Sequence, residues 1–90
     1  MDSYFCLNPD VVLKETDYGS VALNKRTGQY WELNVMATDI FSMLNSGMGT
    51  KAIEETLVLR FNQPKSKVRT DLEELCNFSL SNGILRKSEA

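Results

Sequence analysis

The sequence contains no histidine among its 90 residues. This absence removes the commonest general base and the Ser–His and Cys–His pairs on which many hydrolases depend. The two cysteines, Cys6 and Cys76, form no CxxC motif, and two thiols without histidine cannot complete a tetrahedral zinc site. The composition therefore predicts a protein with no catalytic residues, no metal and no cofactor.

Positive charge does not predominate either. The chain has 10 lysines and arginines against 12 acidic residues, and its net charge is −2. Nucleic-acid-binding proteins usually carry a basic stripe, which this composition disfavours. The N-terminus lacks the basic and apolar regions of a signal peptide, and no apolar run approaches the roughly 18 residues of a membrane span. We expect a cytoplasmic protein that binds neither nucleic acid nor membranes, and in that compartment a Cys6–Cys76 disulfide is disfavoured.

Residues 11–33 contain β-branched and aromatic residues interrupted by turn signals. The pattern predicts strands over residues 11–16, 21–24 and 29–33. The turns between them, residues 17–20 and 25–28, each contain a glycine. Because connections this short join antiparallel neighbours, the three strands are predicted to form a meander.

From Asn34 onward the apolar residues recur with a helical period, and Asn34 is a good N-cap. Ser46-Gly47 ends the first predicted helix, Thr50 caps the second, and the third begins near Pro64. The inward positions of the second and third helices are Ile53, Leu57, Phe61, Val68, Leu72, Leu75, Cys76 and Leu80. Asn82-Gly83 closes the third helix, and Ile84 and Leu85 return to the core.

Strands followed by helices favour an α+β fold over a parallel α/β sheet. We predict a winged-helix-like domain that spans residues 1–90, with an ordered core over residues 10–86. Residues 1–9 and 86–90 are predicted to be loose ends, which leaves Cys6 open to reaction. Cys76 is instead predicted to be a small buried side chain.

The acidic residues are predicted to lie on solvated helix faces, since acids are seldom buried unless they are paired. These residues are Glu54, Glu55, Asp71, Glu73 and Glu74. The basic residues Lys65, Lys67 and Arg69 are few, and acids follow them directly, so they make a poor DNA-recognition helix.

The third predicted strand is an edge of the meander, so part of its backbone is unpaired. Trp31 and Leu33 share its more apolar face, which we expect to meet the core, while Tyr30 and Glu32 share the other. With no lysine or proline to block it, such an edge can accept an added strand from a partner. The third helix could supply a wall for the added side chains from Lys67, Val68, Asp71, Leu72, Leu75 and Phe78.

Two patterns with fixed offsets resemble the PqqD-like domains. The first is Gly28-x-Tyr30-x-x-Leu33-Asn34, followed by a helix with Ile40 and Leu44 and then Ser46-Gly47. The second is Val68-x-x-Asp71-Leu72, followed by Leu75, Leu80 and Gly83-Ile84-Leu85. The resemblance covers roughly residues 10–86, and it is closest to the free-standing leader-binding proteins of lasso-peptide gene clusters.

The resemblance implies a non-catalytic adaptor for ribosomally made, modified peptides. Such a domain binds the leader of a precursor peptide along its third strand and against its third helix, with an apolar pocket expected beside Leu72 and Leu75. It then presents the precursor to a separate enzyme, in lasso pathways a transglutaminase-like cysteine protease that acts as leader peptidase. The predicted peptide-binding residues are Gln29, Tyr30, Trp31, Glu32, Leu33, Lys67, Val68, Asp71, Leu72, Leu75 and Phe78.

Two other functions are weighed against this one. A small winged-helix DNA-binding regulator is the main alternative, and it would require a basic recognition helix. A small enzyme is disfavoured by the missing histidine and by the lack of a nucleophile motif.

Overall fold

The computed structural model describes residues 2–88. In that part of the chain the elements are β1 (Phe5–Leu7), β2 (Val11–Thr16), β3 (Gly19–Asn24), β4 (Tyr30–Asn34), α1 (Val35–Asn45), α2 (Thr50–Phe61), α3 (Lys65–Ser81) and β5 (Leu85–Lys87). This order confirms the predicted α+β fold, in which three antiparallel strands, β2 to β4, precede three helices. None of the helices in the described residues is both long and apolar enough to span a membrane.

The strand order is β2-β3-β4, so β3 is central and β4 is an edge, as predicted. Gly19 opens β3 at φ +149°, and a Cβ there would collide with the carbonyl oxygen of Leu33. The backbones of β3 and β4 can approach this closely only because Gly19 has no side chain.

The prediction of loose ends was wrong for the strand-forming residues within 2–9 and 86–88, while residues 1, 89 and 90 lie outside the described part of the chain. β1 pairs antiparallel with β5, with Phe5 opposite Lys87 and Leu7 opposite Leu85. Cys6 therefore lies in a paired strand, half-buried, rather than in a loose tail. These strands have three residues each, which is too short for an alternating pattern to be recognised in the sequence.

The junction between β4 and α1 is fixed by three side-chain hydrogen bonds. The Asn34 side chain accepts from the Ala37 amide at 2.8 Å, which confirms the predicted N-cap. The Thr38 hydroxyl donates to the Asn34 carbonyl oxygen at 2.8 Å. Because its one hydrogen is used there, the Ser20 hydroxyl, whose oxygen lies 2.7 Å from Thr38 Oγ1, donates to Thr38. The edge strand and the start of α1 are thus held as one unit.

The core lies between the sheet and the helices. Ile40 and Phe41 of α1, Ile53 and Leu57 of α2 and Val68 of α3 are almost completely buried. The predicted return of Ile84 and Leu85 to the core is confirmed, after Gly83 turns the chain at φ +70°. Cys76 is buried, also as predicted.

The start of α2 differs from the prediction that Thr50 is its cap. Gly49 occupies the N-cap position and supplies no side-chain hydrogen bond. The carboxylate of Asp2 takes that role and accepts from the Lys51 amide at 2.8 Å. A cap from 49 residues away leaves no local signal in the sequence.

Candidate functional site

One side of β4 offers backbone groups with no partner strand among residues 2–88. The Asn24 amide donates to the Gln29 carbonyl at 2.8 Å, so this pair opens the ladder between β3 and β4. Bonded and non-bonded pairs alternate along an antiparallel ladder, and the register then assigns Trp31 and Leu33 to the bonded pairs. The N–H and C=O groups of Tyr30 and Glu32 consequently point to the open edge.

The β4 side chains divide as the alternation predicts. Leu33 is buried, and Trp31 is half-buried against the core. Tyr30 and Glu32 lie on the outer face of the sheet, where 64% of Tyr30 is exposed. Gln29 is exposed and precedes the strand, whose first residue is Tyr30.

A groove of about 440 Å³ lies between the start of α1 and the middle of α3. It begins at Asn34, the last residue of β4, so it is adjacent to the end of the open edge. We call this the α1–α3 groove, and its lining residues are Asn34, Met36, Ala37, Ile40, Asp71, Glu74, Leu75 and Phe78. Most of this lining is apolar, and 48% of Phe78 remains exposed.

The predicted helix wall separates into two groups. Asp71, Leu75 and Phe78 line the groove, whereas Val68 and Leu72 are 1% and 4% exposed and belong to the core. The predicted pocket therefore lies beside Leu75 and not beside Leu72. The reason is the helical period, which turns residues 68, 72 and 76 toward the core and residues 71, 75 and 78 toward α1.

Lys67 lies one turn before Asp71, and its ammonium contacts the Asp71 carboxylate at 2.8 Å. Both side chains are partly exposed, so the contact neutralises charge at this end of the wall without adding much stability.

Sequence reasoning missed the contribution of α1 and one residue of α3. Met36, Ala37 and Ile40 of α1 line the groove but are absent from the predicted peptide-binding residues, and the sequence pattern predicts Glu74 only as a solvated acid. The available signal was position, because Met36 and Ala37 follow the edge strand directly and lie in the first turn of the helix after it.

Glu54 corrects the prediction that the acids are all solvated. Its side chain is only 8% exposed and bridges α2 to α3, with an oxygen 2.8 Å from Arg69 Nε and another 3.9 Å from Lys65 Nζ. The hydrogen bond from Arg69, aided by the nearby positive charges, holds the pKa of Glu54 below its ordinary value despite partial desolvation. The acid is buried because α3 brings its partners to it, and so Glu54 helps to fix the helix that forms the groove wall.

A second cleft, of about 700 Å³, lies on the opposite side of α3. Ser3, Phe5, Glu54, Arg69, Glu73 and Cys76 are among its lining residues. Burial raises the pKa of the Cys76 thiol to about 11, so it stays protonated and unreactive at neutral pH. Among residues 2–88, no cluster of three His, Cys, Asp or Glu side chains could hold a metal.

The chain matches the family model of coenzyme PQQ synthesis protein D (PqqD) over residues 19–85. A solved structure of lasso peptide synthetase B1, complexed with the leader peptide, is similar at a TM-score of 0.86 and 28% identity, covering 93% of this chain and 99% of that one. TbiB1 in complex with the TbiA(beta) leader peptide shares the fold at a TM-score of 0.84 and 21% identity, covering 94% and 99%. The comparison with curated protein sequences found no match.

The matched region covers most of the chain, and the chain belongs to the PqqD family. The predicted resemblance to PqqD-like recognition elements of ribosomally made peptides is therefore confirmed.

Proposed function

We propose that this member of the PqqD family binds the leader segment of a ribosomally made precursor peptide as an added strand on β4. The leader's backbone pairs with the open N–H and C=O groups of Tyr30 and Glu32. Its inward side chains enter the α1–α3 groove, against Leu75 and Phe78. The protein then delivers the bound precursor to a separate modifying enzyme.

The observation that carries this proposal is the position of the open edge beside the groove. Strand addition needs main-chain partners for affinity and pockets for alternate side chains for specificity. β4 offers the first, and the groove that starts at Asn34 offers the second. The PqqD family model and the similarity to a leader-peptide complex at 28% identity support the assignment of a leader as the added strand.

The predicted residues take different roles in this proposal. Residues 29–33 supply backbone, and Lys67, Asp71, Leu75 and Phe78 form the wall. Val68 and Leu72 act from the core by holding α3 in place, because their side chains are almost fully buried.

We further propose that the chain catalyses nothing and serves a transglutaminase-like cysteine protease that removes the leader. The sequence has no histidine to pair with a nucleophile, and the Cys76 thiol stays protonated. The DNA-binding alternative gains no support, because Lys65 and Arg69 of α3 contact Glu54.

The strand proposal is tested by a matched pair of proline variants, Glu32→Pro and Glu15→Pro. Glu32 and Glu15 both lie on edge strands. The Lys25 amide donates to the Asp10 carbonyl, so the alternation along β2 leaves the Glu15 amide facing outward, as the Glu32 amide does on β4. Proline removes an amide donor and is tolerated where that donor faces solvent. Both variants should fold by circular dichroism.

The readout is the anisotropy of a labelled synthetic leader from the precursor encoded in the same gene cluster. We expect Glu32→Pro to weaken binding at least about tenfold, which is ~1.4 kcal/mol, while Glu15→Pro binds like the unaltered protein. Equal affinity of the two folded variants would contradict pairing on β4.

Delivery is tested separately, by incubating the precursor with the cluster's protease, with this protein, and with both. Time-resolved mass spectrometry should show efficient leader removal only when both proteins are present. Cleavage by this protein alone would contradict the adaptor role, and equally fast cleavage by the protease alone would contradict delivery.

A further inference from the structure

The lining of the α1–α3 groove carries an uneven charge. None of its lining residues on the α1 side, which are Asn34, Met36, Ala37 and Ile40, carries a charge, whereas α3 contributes the carboxylates of Asp71 and Glu74. Lys67 Nζ lies 2.8 Å from Asp71 Oδ2 and offsets the negative charge of that carboxylate.

Glu74 has no such compensation in the described part of the chain. No lysine or arginine nitrogen of residues 2–88 lies within 4.0 Å of its carboxylate, and its side chain is exposed. It lies next to Leu75, so an acidic group stands directly beside the apolar wall of the groove.

We propose that Glu74 is a specificity-determining residue that selects peptides carrying a lysine or arginine at the position facing it. This inference rests on the proposed function and names the chemistry of the preferred peptide: an apolar anchor on Leu75 and Phe78, with a cation at a fixed offset from it. A peptide with an acid at that offset would bring two like charges together and be disfavoured.

The neighbouring Glu73 provides a matched control. It lies on the same exposed helix but lines the cleft on the other side of α3. Glu74→Lys and Glu73→Lys therefore make the same change in net charge on opposite sides of one helix.

The experiment selects peptides from a randomised 15-residue mRNA-display library against the unaltered protein, Glu74→Lys and Glu73→Lys. The unaltered protein and Glu73→Lys should enrich lysine or arginine at one offset from an apolar or aromatic anchor, and Glu74→Lys should enrich aspartate or glutamate at that offset. Retention of the basic preference by a folded Glu74→Lys, or its loss in Glu73→Lys, would overturn the inference.

One enriched peptide is then synthesised with its basic residue and with glutamate in its place, and both are titrated by anisotropy. Because an exposed ion pair is screened by water and contributes little, reversing one charge should change affinity only about fivefold. The unaltered protein should prefer the basic peptide, and Glu74→Lys should reverse that preference.

The selection also separates this inference from the proposed function. Suppose that peptides are enriched by the unaltered protein and lost with Glu32→Pro, but show no basic preference. That result would overturn the role of Glu74 and leave strand addition on β4 intact. Recovery of no peptide, or of the same peptides by Glu32→Pro, would overturn strand addition on β4 and the role of Glu74 with it.

Discussion

The three-stranded sheet has two edges, β2 and β4, and they differ in what lies beside them. β2 carries the exposed charged residues Lys14 and Glu15, which are typical of edges that resist added strands. β4 ends at Asn34, where the α1–α3 groove begins, and Phe78 stands half-exposed in the wall of that groove. An open ladder alone therefore does not distinguish the two edges, and only on β4 do the neighbouring helices add a groove that can hold side chains.

The largest effect is expected from Trp31→Pro. This change removes a donor that faces β3 and also a large side chain packed against the core. We expect a loss of about 3–5 kcal/mol, enough to unfold a small domain, because a broken ladder hydrogen bond adds to the lost packing of a large, half-buried aromatic. Thermal unfolding followed by circular dichroism measures it, with Glu32→Pro as the folded control. A Trp31→Pro variant as stable as Glu32→Pro would contradict the assigned parity of the ladder.

Phe78→Ala should make the β4 edge more like the β2 edge by removing part of the wall. A central aromatic at an interface is often worth about 2 kcal/mol, so affinity for the leader should fall roughly 30-fold. Unfolding free energy should change by less than about 1 kcal/mol, since about half of the side chain is already exposed.

Leu59→Ala is the control for Phe78→Ala, because Leu59 is an exposed apolar residue on α2, outside the groove lining. It should change neither affinity nor stability. A large fall in melting temperature for Phe78→Ala with unchanged affinity would place Phe78 in the core and remove it from the site.

Glu54→Gln tests whether the wall depends on the bridge between α2 and α3. We expect a loss of about 1 kcal/mol of stability at pH 7, typical of one hydrogen bond between charged groups when one of them, here the exposed guanidinium of Arg69, is screened by water. Affinity should fall slightly, because α3 is held less firmly beside the groove. Chemical denaturation with and without leader measures both quantities.

The pH dependence of this effect has a definite sign. The folded state lowers the pKa of Glu54 from its ordinary value of 4.5, so the stabilisation is present above that value and is lost as the pH falls through the lower folded pKa. The stability difference between the unaltered protein and Glu54→Gln should therefore shrink below about pH 4.5. A difference that grows on acidification would contradict the bridge.

Much of the β4 side could be predicted from the sequence, because its signals are local. The turn glycines, the Asn34 cap and the alternation of Tyr30 to Leu33 each act over a few residues. What could not be predicted depends on residues distant in sequence. Asp2 caps α2 from the far end of the chain, and Arg69 makes the burial of Glu54 possible. Predicting the α1–α3 groove would have required knowledge of which turn of α3 faces Met36 of α1.

Amide hydrogen exchange at β2 and β4, measured by NMR with and without the leader, reports directly which edge of the three-stranded sheet gains a strand. Without leader, the Trp31 and Leu33 amides should be protected by their pairing with β3, while the Tyr30 and Glu32 amides exchange rapidly. Saturating leader should protect Tyr30 and Glu32 and leave the outward amide of Glu15 on β2 unchanged. Leader binding that leaves Tyr30 and Glu32 in rapid exchange, or that protects Glu15 instead, would contradict strand addition on β4.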